Sequence, residues 1–327
     1  MKLRITTFNC ENLFGRYRFL DTPQKGEIKD YEKSLQITET TTLEPGRSGR
    51  IKPAILNKQQ RTNTANAILE ADPHVLAVEE VENLTVLRLF NAKYMGSAFD
   101  RIILVDGNDA RGIDVGFLVR KGVDVTVLDV RTHADEAIGG GFLAKSNRLD
   151  TAVTAQAIFS RDCLEVDVQV SGVALTFLVN HFKAQDNKPT TSARRKRQAA
   201  RVVELVQAVR NNDRHPIVMG DLNIDSKQSD YDGSLDPLLD LSTLHDPFAG
   251  LDQQQRWTHF YSSDKTVSKL DYVLVDDFLS NRVDSVDIFR KGLSKKCKQY
   301  KGPRLSSMKN NDLEASDHCP TTMILNL

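Results

Sequence analysis

The sequence has little cysteine, a single tryptophan and no net charge. Its four cysteines are far apart and form no CxxC pair, which argues against a disulfide framework and against a structural zinc site. The 327 residues hold 44 Lys and Arg against 44 Asp and Glu, so the surface as a whole does not attract polyanions. We therefore expect reduced, buried cysteines and, if the protein binds a polyanion, a local basic surface.

Long apolar runs are also missing. No run approaches the roughly 20 residues that a bilayer-spanning helix needs. The first residues, MKLRITTFNCENLF, mix charged with apolar side chains and lack the apolar core of a secretory signal. From the residues given we expect a cytoplasmic protein that does not bind membranes and is a monomer.

Short apolar runs of four to eight residues, bounded by turn residues, are abundant and predict that strands dominate. The predicted strands are Leu3–Cys10, His74–Glu80, Arg101–Val105, Ile113–Val119, Val123–Val130, Leu164–Val170, Ala174–Asn180, Pro216–Asp221, Lys269–Val275, Val283–Phe289 and Thr322–Leu325. Polar, turn-rich residues predict long loops over Phe14–Gly49, His133–Asp150 and Lys291–Glu314.

Helical periodicity is confined to a few segments, Asn57–Leu69, Asn83–Phe90 and Ala193–Arg210. A regular alternation of strand and helix is absent, as is a Pro/Gly/Ser-rich linker. This order favours an α/β (α+β) fold in which two mainly antiparallel sheets pack face to face with helices outside. We expect one domain over residues 1–327.

Polar side chains follow or precede the predicted strands at five places. They are Asn9, the pair Glu79 and Glu80, the pair Asn180 and His181, Asp221 with Asn223, and Asp317 with His318. Each place alone has an ordinary explanation, because Asp and Asn often cap turns. Together they predict one rim of carboxylate, amide and imidazole groups.

This set of groups fits metal-assisted hydrolysis of a phosphoester. The oxygen ligands Glu80, Asn9 and Asp317 suit Mg²⁺ or Mn²⁺, whereas zinc would want more His or Cys. A carboxylate would position or deprotonate the attacking water, and two histidines would stabilise charge on the phosphoryl oxygens. A serine nucleophile elbow, a P-loop and a GxGxxG motif are all absent from the sequence, which disfavours acyl transfer and nucleotide switching.

The order of the short motifs resembles the endonuclease/exonuclease/phosphatase superfamily, the DNase I-like fold. The motifs are TTFNCEN, VEEVEN, RGIDVGFLVR, FSRDCLEVDV, VNHFKA, RKRQA, VMGDLNID, KLDYVLV and SDHCP, and the match as a whole spans residues 5–325. The resemblance implies a four-layered α/β sandwich, a site at the edges of the two sheets, and a single catalytic domain.

The resemblance also implies roles for individual residues. Glu80 corresponds to the principal metal ligand, with Asn9 and Asp317 beside it. VEE stands where many members have LQE, so Glu79 is an added carboxylate that we expect to be structural or solvated. The catalytic roles fall on Asp221 for the water, Asn223 beside it, His181 with Asp114 as its acidic partner, and His318 with Asp271 as its partner. Asp271 and Asp114 also have simpler readings, as a strand cap and a turn residue.

Charge is locally segregated. Residues 47–61 hold five bases and no acid, residues 183–214 nine bases and three acids, and residues 290–309 eight bases and no acid. Each stretch has an alternative reading as a solvated face, but two of them adjoin His181 and Asp317, which favours a polyanionic substrate. The residues predicted to bind it are Arg111, Lys183, Arg197 and Trp257, although a core position for Trp257 is equally consistent with the sequence.

The leading hypothesis is therefore a Mg²⁺- or Mn²⁺-dependent nuclease, with DNA as its partner, little base specificity and endonucleolytic cleavage favoured. The alternative hypothesis is a phosphatase or phosphodiesterase that uses the same metal-assisted hydrolysis on a small or lipid-derived phosphoester instead of DNA. A non-catalytic scaffold is a remote third reading, because a scaffold would be expected to have lost some of these residues.

Overall fold

The structure is a computed structural model that describes residues 1–13, 58–109, 111–143, 155–186, 188–308 and 312–327. The predicted loop Phe14–Gly49 lies outside these residues, as does most of the basic stretch 47–61. Within the described part of the chain, no helix is long and apolar enough to cross a membrane.

Strands dominate the described residues, as the short apolar runs predict. They are β1 (Lys2–Leu13), β2 (Val75–Val81), β3 (Phe99–Leu104), β4 (Asp114–Arg120), β5 (Thr126–Arg131), β6 (Cys163–Val170), β7 (Val173–His181), β8 (His215–Asp221), β9 (Leu244–His245), β10 (His259–Tyr261), β11 (Thr266–Ser268), β12 (Asp271–Asp276), β13 (Val283–Ile288) and β14 (Thr321–Asn326). All eleven predicted strands are found. The ones the sequence did not predict, β9, β10 and β11, are two or three residues long and carry little periodicity.

The strands form two six-stranded sheets and a small ribbon. Sheet A has the order β13-β14-β1-β2-β4-β3, sheet B has the order β5-β6-β7-β8-β12-β9, and β10 pairs with β11. Each large sheet is antiparallel apart from one central parallel pair, β1 with β2 and β7 with β8. The predicted mainly antiparallel two-sheet sandwich is confirmed. The parallel pairs matter for the site, because the carboxyl ends of parallel strands meet at one edge of a sheet.

Three apolar cores divide the molecule into layers. The central core lies between the sheets and contains Ile5 and Phe117 of sheet A and Val166 and Phe177 of sheet B. A second core packs helices against the outer face of sheet A, and a third does the same on sheet B. Alternation along each strand sends successive side chains into different cores, so both faces of the central strands are buried.

The helices lie in the outer layers. They are α1 (Lys58–Ala71), α2 (Leu84–Tyr94), α3 (Pro189–Asn211) and two four-residue helices, α4 (Asp236–Leu239) and α5 (Asp277–Ser280). In α3 the apolar stripe of Ala199, Val202, Val206 and Val209 is buried as its spacing predicts. Arg195 of the same helix is buried and paired with Asp232. This base therefore does not belong to a solvated basic face.

Candidate active site

The centre of the site is a set of three residues in register across sheet B. His181 ends β7, Asp221 ends β8, and Asp271 begins β12, so that His181 pairs with Asp221 and Asp221 with Asp271. All three side chains are buried. The parallel pairing of β7 with β8 and the antiparallel pairing of β8 with β12 therefore bring residues 90 positions apart into one line.

Sheet A supplies Asn9 and Glu80 from the opposite side. The Nδ2 of Asn9 donates to the Oδ2 of Asp221 at 3.0 Å and so joins the two sheets at their edges. Glu80 lies where the pairing of β2 shifts register between Val78 and Val81, and its φ of 60° lies in the left-handed region. Because of this irregularity, the side chain of Glu80 no longer follows the alternation of side chains between the two faces of the sheet. Its Oε2 accepts from the backbone N–H of Asn12 at 3.0 Å.

Six side chains form an alternating row of carboxylates and imidazoles, here called the strand-end row. The Nε2 of His181 lies 4.0 Å from Oε1 of Glu80 and 3.5 Å from Oδ2 of Asp221. The Nε2 of His318 lies 3.8 Å from the same Oδ2 and 4.0 Å from Oδ1 of Asp317. The row in order is Glu80, His181, Asp221, His318, Asp317 and His259. One carboxylate, that of Asp221, is thus shared by two imidazoles.

His318 has the acidic partner that the sequence predicts. Its Nδ1 hydrogen-bonds to Asp271, at 2.9 Å from Oδ2, which leaves Nε2 facing Asp221. Burial would lower the pKa of His318, but the charges of Asp271 and Asp221 outweigh burial and raise this pKa well above its ordinary value. His318 is therefore an imidazolium with one N–H free for an anion.

Asp221 is held as a proton acceptor. Burial raises its pKa to about 7, with Asp271 adding to the rise and the charge of His318 opposing it. The backbone N–H of Asn223 donates to Oδ1 at 2.8 Å, and the Nδ2 of Asn223 donates to Oδ2 at 3.1 Å. A carboxylate with a pKa near neutrality, oriented by two amides, has the properties of a general base.

The predicted contact between Asp114 and His181 is not formed. The Oδ1 of Asp114 instead accepts from the backbone N–H of Gly107 at 2.8 Å, so this aspartate binds the loop before β4. The Nδ1 of His181 is buried without a hydrogen-bond partner among the described residues. Burial and the charge of Arg161 lower the pKa of His181 well below its ordinary value, so this imidazole is neutral.

Glu79 points between the two sheets and is buried, so it is not solvated. Its Oε1 accepts from the hydroxyl of Thr7 at 2.7 Å, whereas Oε2 has no partner among the described residues. Burial, followed by the charge of Asp271, raises its pKa well above the ordinary value. Burial thus favours the neutral form of Glu79, and its buried position agrees with the structural one of the two expectations for it.

The row lies beside a further carboxylate, Glu11, that the sequence did not single out. Burial, followed by the charges of Asp317, Glu314 and Glu80, raises the pKa of Glu11 to about 8. Crowded oxygen donors of this kind suit a hard divalent cation such as Mg²⁺ or Mn²⁺. Glu80, Asp317 and Glu11 are therefore candidate ligands for such an ion. Asn9 can add its amide oxygen, although that oxygen also accepts from the N–H of Glu11.

His259 is the second residue that the sequence did not single out. It begins β10, forms a bridge with His318 and places Nε2 at 3.5 Å from Oδ2 of Asp317. In the sequence, His259 lies in the short segment RWTHFY. This segment contacts the SDH motif, which is 59 residues later in the chain. Nothing in the spacing alone predicts that pairing.

The predicted substrate-binding residues fall into three environments. Arg111 and Lys183 lie near His181, where their charges contribute to its lowered pKa. Arg197 is exposed and lines a groove of about 520 Å³ with Phe142 and glycines 139–141. Trp257 is 4 % exposed, belongs to the central core and is covered by the guanidinium of Arg290 at 4.1 Å. Its core reading is therefore the one that the structure supports.

The two described basic stretches differ in how their charges are used. In residues 183–214, Arg195, Arg201 and Arg214 pair with Asp232, Glu136 and Asp167. In residues 290–308, Arg304 binds backbone carbonyls, whereas Lys295, Lys296, Lys298 and Lys301 are exposed. The second stretch therefore presents more cationic surface than the first.

Comparison with known families agrees with this geometry. A model of the Endonuclease/Exonuclease/phosphatase family matches residues 7–318. The chain therefore belongs to this family, whose members are phosphoesterases that use divalent metals. A search of curated protein sequences finds no match.

Solved structures share the fold at low sequence identity. An endonuclease/exonuclease/phosphatase family protein from Bacteroides thetaiotaomicron is 14% identical, with a TM-score of 0.60 and coverage of 100% of this chain and 99% of that one. D. rerio TDP2 complexed with a single-strand DNA product is 15% identical, with a TM-score of 0.60 and the same coverage. A mannosyl-6-phosphatase from Bacteroides thetaiotaomicron is 14% identical, with a TM-score of 0.60 and coverage of 99% and 100%. The predicted DNase I-like fold is thus confirmed, while these neighbours act on unlike substrates.

Proposed function

We propose that this chain is a Mg²⁺- or Mn²⁺-dependent phosphodiesterase that cleaves the DNA backbone as an endonuclease with little base specificity. The observation that carries the proposal is the strand-end row, in which Asp221 lies between two imidazoles and carboxylates lie beyond each imidazole. We further propose that residues 1–327 form one catalytic domain, since β1 pairs with β14 and the site takes Asn9 from one end of the chain and Asp317 from the other.

The metal would be held by Glu80, Asp317 and Glu11, with the amide oxygen of Asn9 beside them. When bound, a divalent cation there neutralises charge on the phosphoryl group and stabilises the leaving oxygen. The proposal is supported by the burial of Glu11 and by the charges of the neighbouring carboxylates, which together raise its pKa to about 8.

Residues of the chain accept the proton of the attacking water and stabilise the charge on the phosphoryl group. Asp221 takes a proton from the attacking water through Oδ2, and Asn9 and Asn223 hold this carboxylate in place. His318 donates its Nε2–H to a non-bridging oxygen, while Asp271 fixes Nδ1. His181 presents its Nε2 to the same group. Such donors lower the barrier by about 3–4 kcal/mol each in related chemistry.

The surface beside the row supports the proposal that DNA is the substrate. Lys298 and Lys301 line a groove of about 850 Å³ together with Val267 of β11. The residue after Val267 is Ser268, whose Oγ lies 3.3 Å from Nδ1 of His259. Val267 and Ser268 are neighbours on β11, so the groove lies across this strand from His259, and its exposed ammonium groups can contact phosphates without reading bases.

A small phosphoester is the second candidate, because a specific observation favours it. Near His181 the basic groups are few, since Arg195, Arg201 and Arg214 of the adjacent stretch are engaged in internal ion pairs. Lys183 and Arg111, which is itself paired with Asp109 at 3.0 Å, could contact one terminal phosphate near His181.

The test is a substrate panel. The purified protein is incubated with supercoiled plasmid, linear duplex, single-stranded DNA and p-nitrophenyl phosphate in Mg²⁺, Mn²⁺ or EDTA, with Glu80→Gln as the inactive control. Nicked circles that require a divalent ion support the proposal. Release of p-nitrophenol with intact plasmid would replace it with the phosphatase function, and equal products from Glu80→Gln would reveal a contaminating nuclease.

A further inference from the structure

We propose that Thr258 is a positioning residue, which holds Asp271 and His318 at the distance that the hydrogen bond between their side chains requires. The inference rests on the function proposed above, in which His318 donates to the phosphoryl group. It adds a residue that touches neither the substrate nor the metal. Thr258 is fully buried and directly precedes His259, whose backbone bridges to that of His318. The contacts of Thr258 reach both members of the pair.

The hydroxyl of Thr258 holds the start of β12. Its Oγ1 accepts from the backbone N–H of Leu270 at 3.0 Å and from the backbone N–H of Asp271 at 3.1 Å. Two successive N–H groups thus share one buried oxygen. The carbonyl of Leu270 accepts in turn from the N–H of Leu222 at 2.9 Å, one residue after Asp221. The hydroxyl therefore fixes the point at which β12 joins β8 in sheet B.

Strand pairing alone leaves this end of β12 incomplete. β8 pairs with β12 from Asp271 to Val275, whereas β9 pairs with it only at Val275 and Asp276. Side-chain oxygens accept the N–H groups at the open end, because Oδ2 of Asp225 also accepts from the N–H of Lys269 at 2.9 Å. A buried N–H without an acceptor is costly, so these oxygens restrict the path of the backbone into the strand.

The backbone of Thr258 holds the other member of the pair. Its carbonyl accepts from the N–H of Cys319 at 2.7 Å, one residue after His318. Its N–H donates to the carbonyl of Ser268 at 2.9 Å, which attaches the segment to β11. The N–H of His318 itself donates to Oγ of Ser316 at 3.0 Å. The backbone of His318 is therefore held on both sides, once within its own motif and once by Thr258.

Thr258 thus connects two residues that lie 47 positions apart in the sequence and meet at 2.9 Å between Nδ1 of His318 and Oδ2 of Asp271. A hydrogen bond weakens as its length and angle depart from the optimum. Removing the hydroxyl of Thr258 frees the start of β12, so the carboxylate of Asp271 no longer fixes the ring and Nε2 of His318 loses its direction. Misplacing a reacting group by about 1 Å can lower a rate roughly 10²-fold.

The experiment compares Thr258→Val, which removes the hydroxyl at nearly constant shape, with Thr258→Ser, which keeps it. The first measurement is the downfield proton NMR resonance of the Nδ1–H between His318 and Asp271, identified by its absence from His318→Ala. We expect it at one position in the wild type and Thr258→Ser, and shifted or broadened in Thr258→Val. An unchanged resonance in Thr258→Val would overturn the proposal, as would a wild type without the resonance. No substrate is needed, so this result is independent of whether the proposed hydrolysis occurs.

The second measurement is turnover of the phosphoester that the wild type cleaves. Thr258→Val should lower kcat roughly 10-fold and leave KM within about 2-fold, because Thr258 does not touch the substrate. Thr258→Ser should restore most of kcat. In the His318→Ala background, Thr258→Val should add no further loss, since the two residues act as a unit. Equal losses in both backgrounds would assign Thr258 a structural role only and contradict the proposal.

A matched control removes a different buried hydroxyl. Thr322→Val deletes the hydroxyl that bonds to that of Thr6 at 2.8 Å in sheet A, and it should keep both the resonance and wild-type kcat. Loss of the resonance in Thr322→Val as well would mean that Thr258 has no special part in holding the pair. Hydrogen exchange of the wild type tests the contacts without a variant. The backbone N–H groups of Leu270, Asp271 and Cys319 should be strongly protected, and rapid exchange of any of them would refute the proposal.

Discussion

Two clusters of buried imidazoles and carboxylates in this molecule use the same side chains in opposite ways. The first is the strand-end row. The second, here called the His133 cluster, lies where β5 and β6 meet α3 and contains Arg131, His133, Glu136, Glu165 and Arg201. In the His133 cluster, Nδ1 of His133 binds Glu136 at 2.8 Å and Nε2 binds Glu165 at 2.7 Å, so both ring nitrogens are engaged.

The electrostatics of the two clusters differ accordingly. Hydrogen bonds from Arg201 and His133 outweigh burial and lower the pKa of Glu136 to about 2, and those from His133 and Arg131 do the same for Glu165. In the strand-end row, burial and like charges raise the pKa of Asp221 to about 7. The His133 cluster contains an arginine for each glutamate, whereas the row contains none.

This contrast separates a stabilising cluster from a reactive one. A buried charge is stable only when it is paired and hydrogen-bonded, which the His133 cluster achieves. The row leaves Nδ1 of His181 without a partner and has more carboxylates than cations, a state that a metal and a phosphate would complete. Variants that lower activity without lowering stability, or stability without lowering activity, test this contrast.

The largest effect is expected from Glu80→Gln. Loss of this carboxylate weakens the hold on the metal and removes several kcal/mol of transition-state stabilisation, or roughly 10³-fold in turnover. Circular dichroism and the unfolding midpoint should stay at wild-type values. Glu165→Gln in the His133 cluster should show the opposite result, with normal turnover and lower stability. Loss of turnover in both variants would contradict the distinction between the two clusters.

The next effect is that of His318→Ala. Removing the imidazolium that donates to the phosphoryl oxygen should lower kcat roughly 10²-fold, as for other preorganised donors. Asp271→Asn tests the same imidazolium through its other nitrogen. The neutral amide that replaces the carboxylate at 2.9 Å from Nδ1 no longer favours the charged form of His318. We expect a smaller loss of kcat in Asp271→Asn that deepens as pH rises. A pH-independent loss in this variant would mean that Asp271 acts only in packing.

Sequence reasoning found the strands and most of the row for an identifiable reason. Residues such as Glu80, His181 and Asp221 stand at the ends of apolar runs, where period-two alternation and turn residues mark a sheet edge. His259 and Glu11 carry no such mark, because their neighbours are brought together by pairing between distant segments. The pairing of Asp114 with His181 failed for the same reason, since a strand's sequence does not reveal which loop donates to its first carboxylate.

The third prediction concerns stability in the His133 cluster. Its carboxylate partners outweigh burial and raise the pKa of His133 from 6.5 to about 9. A raised pKa in the folded state means that this stabilisation is complete below pH 6.5 and is lost as pH rises through 9. The free energy of unfolding of the wild type should exceed that of His133→Gln by on the order of 2 kcal/mol at pH 6, a difference that narrows by pH 10.

Urea unfolding of both proteins between pH 6 and pH 10, with and without Mg²⁺, measures this difference. Because the His133 cluster is complete without a metal, Mg²⁺ should leave the difference between the two proteins unchanged. A difference that grows with pH would contradict the assignment of His133 as a buried imidazolium.

The smallest effect is expected on the surface beside the row. In the inactive Glu80→Gln background, the added pair Lys298→Gln and Lys301→Gln should weaken duplex binding several-fold and reduce the slope of log affinity against log salt by about 2. The matched pair Arg101→Gln and Lys121→Gln removes the same charge from the far end of sheet A and should leave the slope unchanged. Fluorescence anisotropy at several salt concentrations measures both. Equal slopes in the two pairs would mean that net charge, and not the groove of Lys298 and Lys301, attracts DNA.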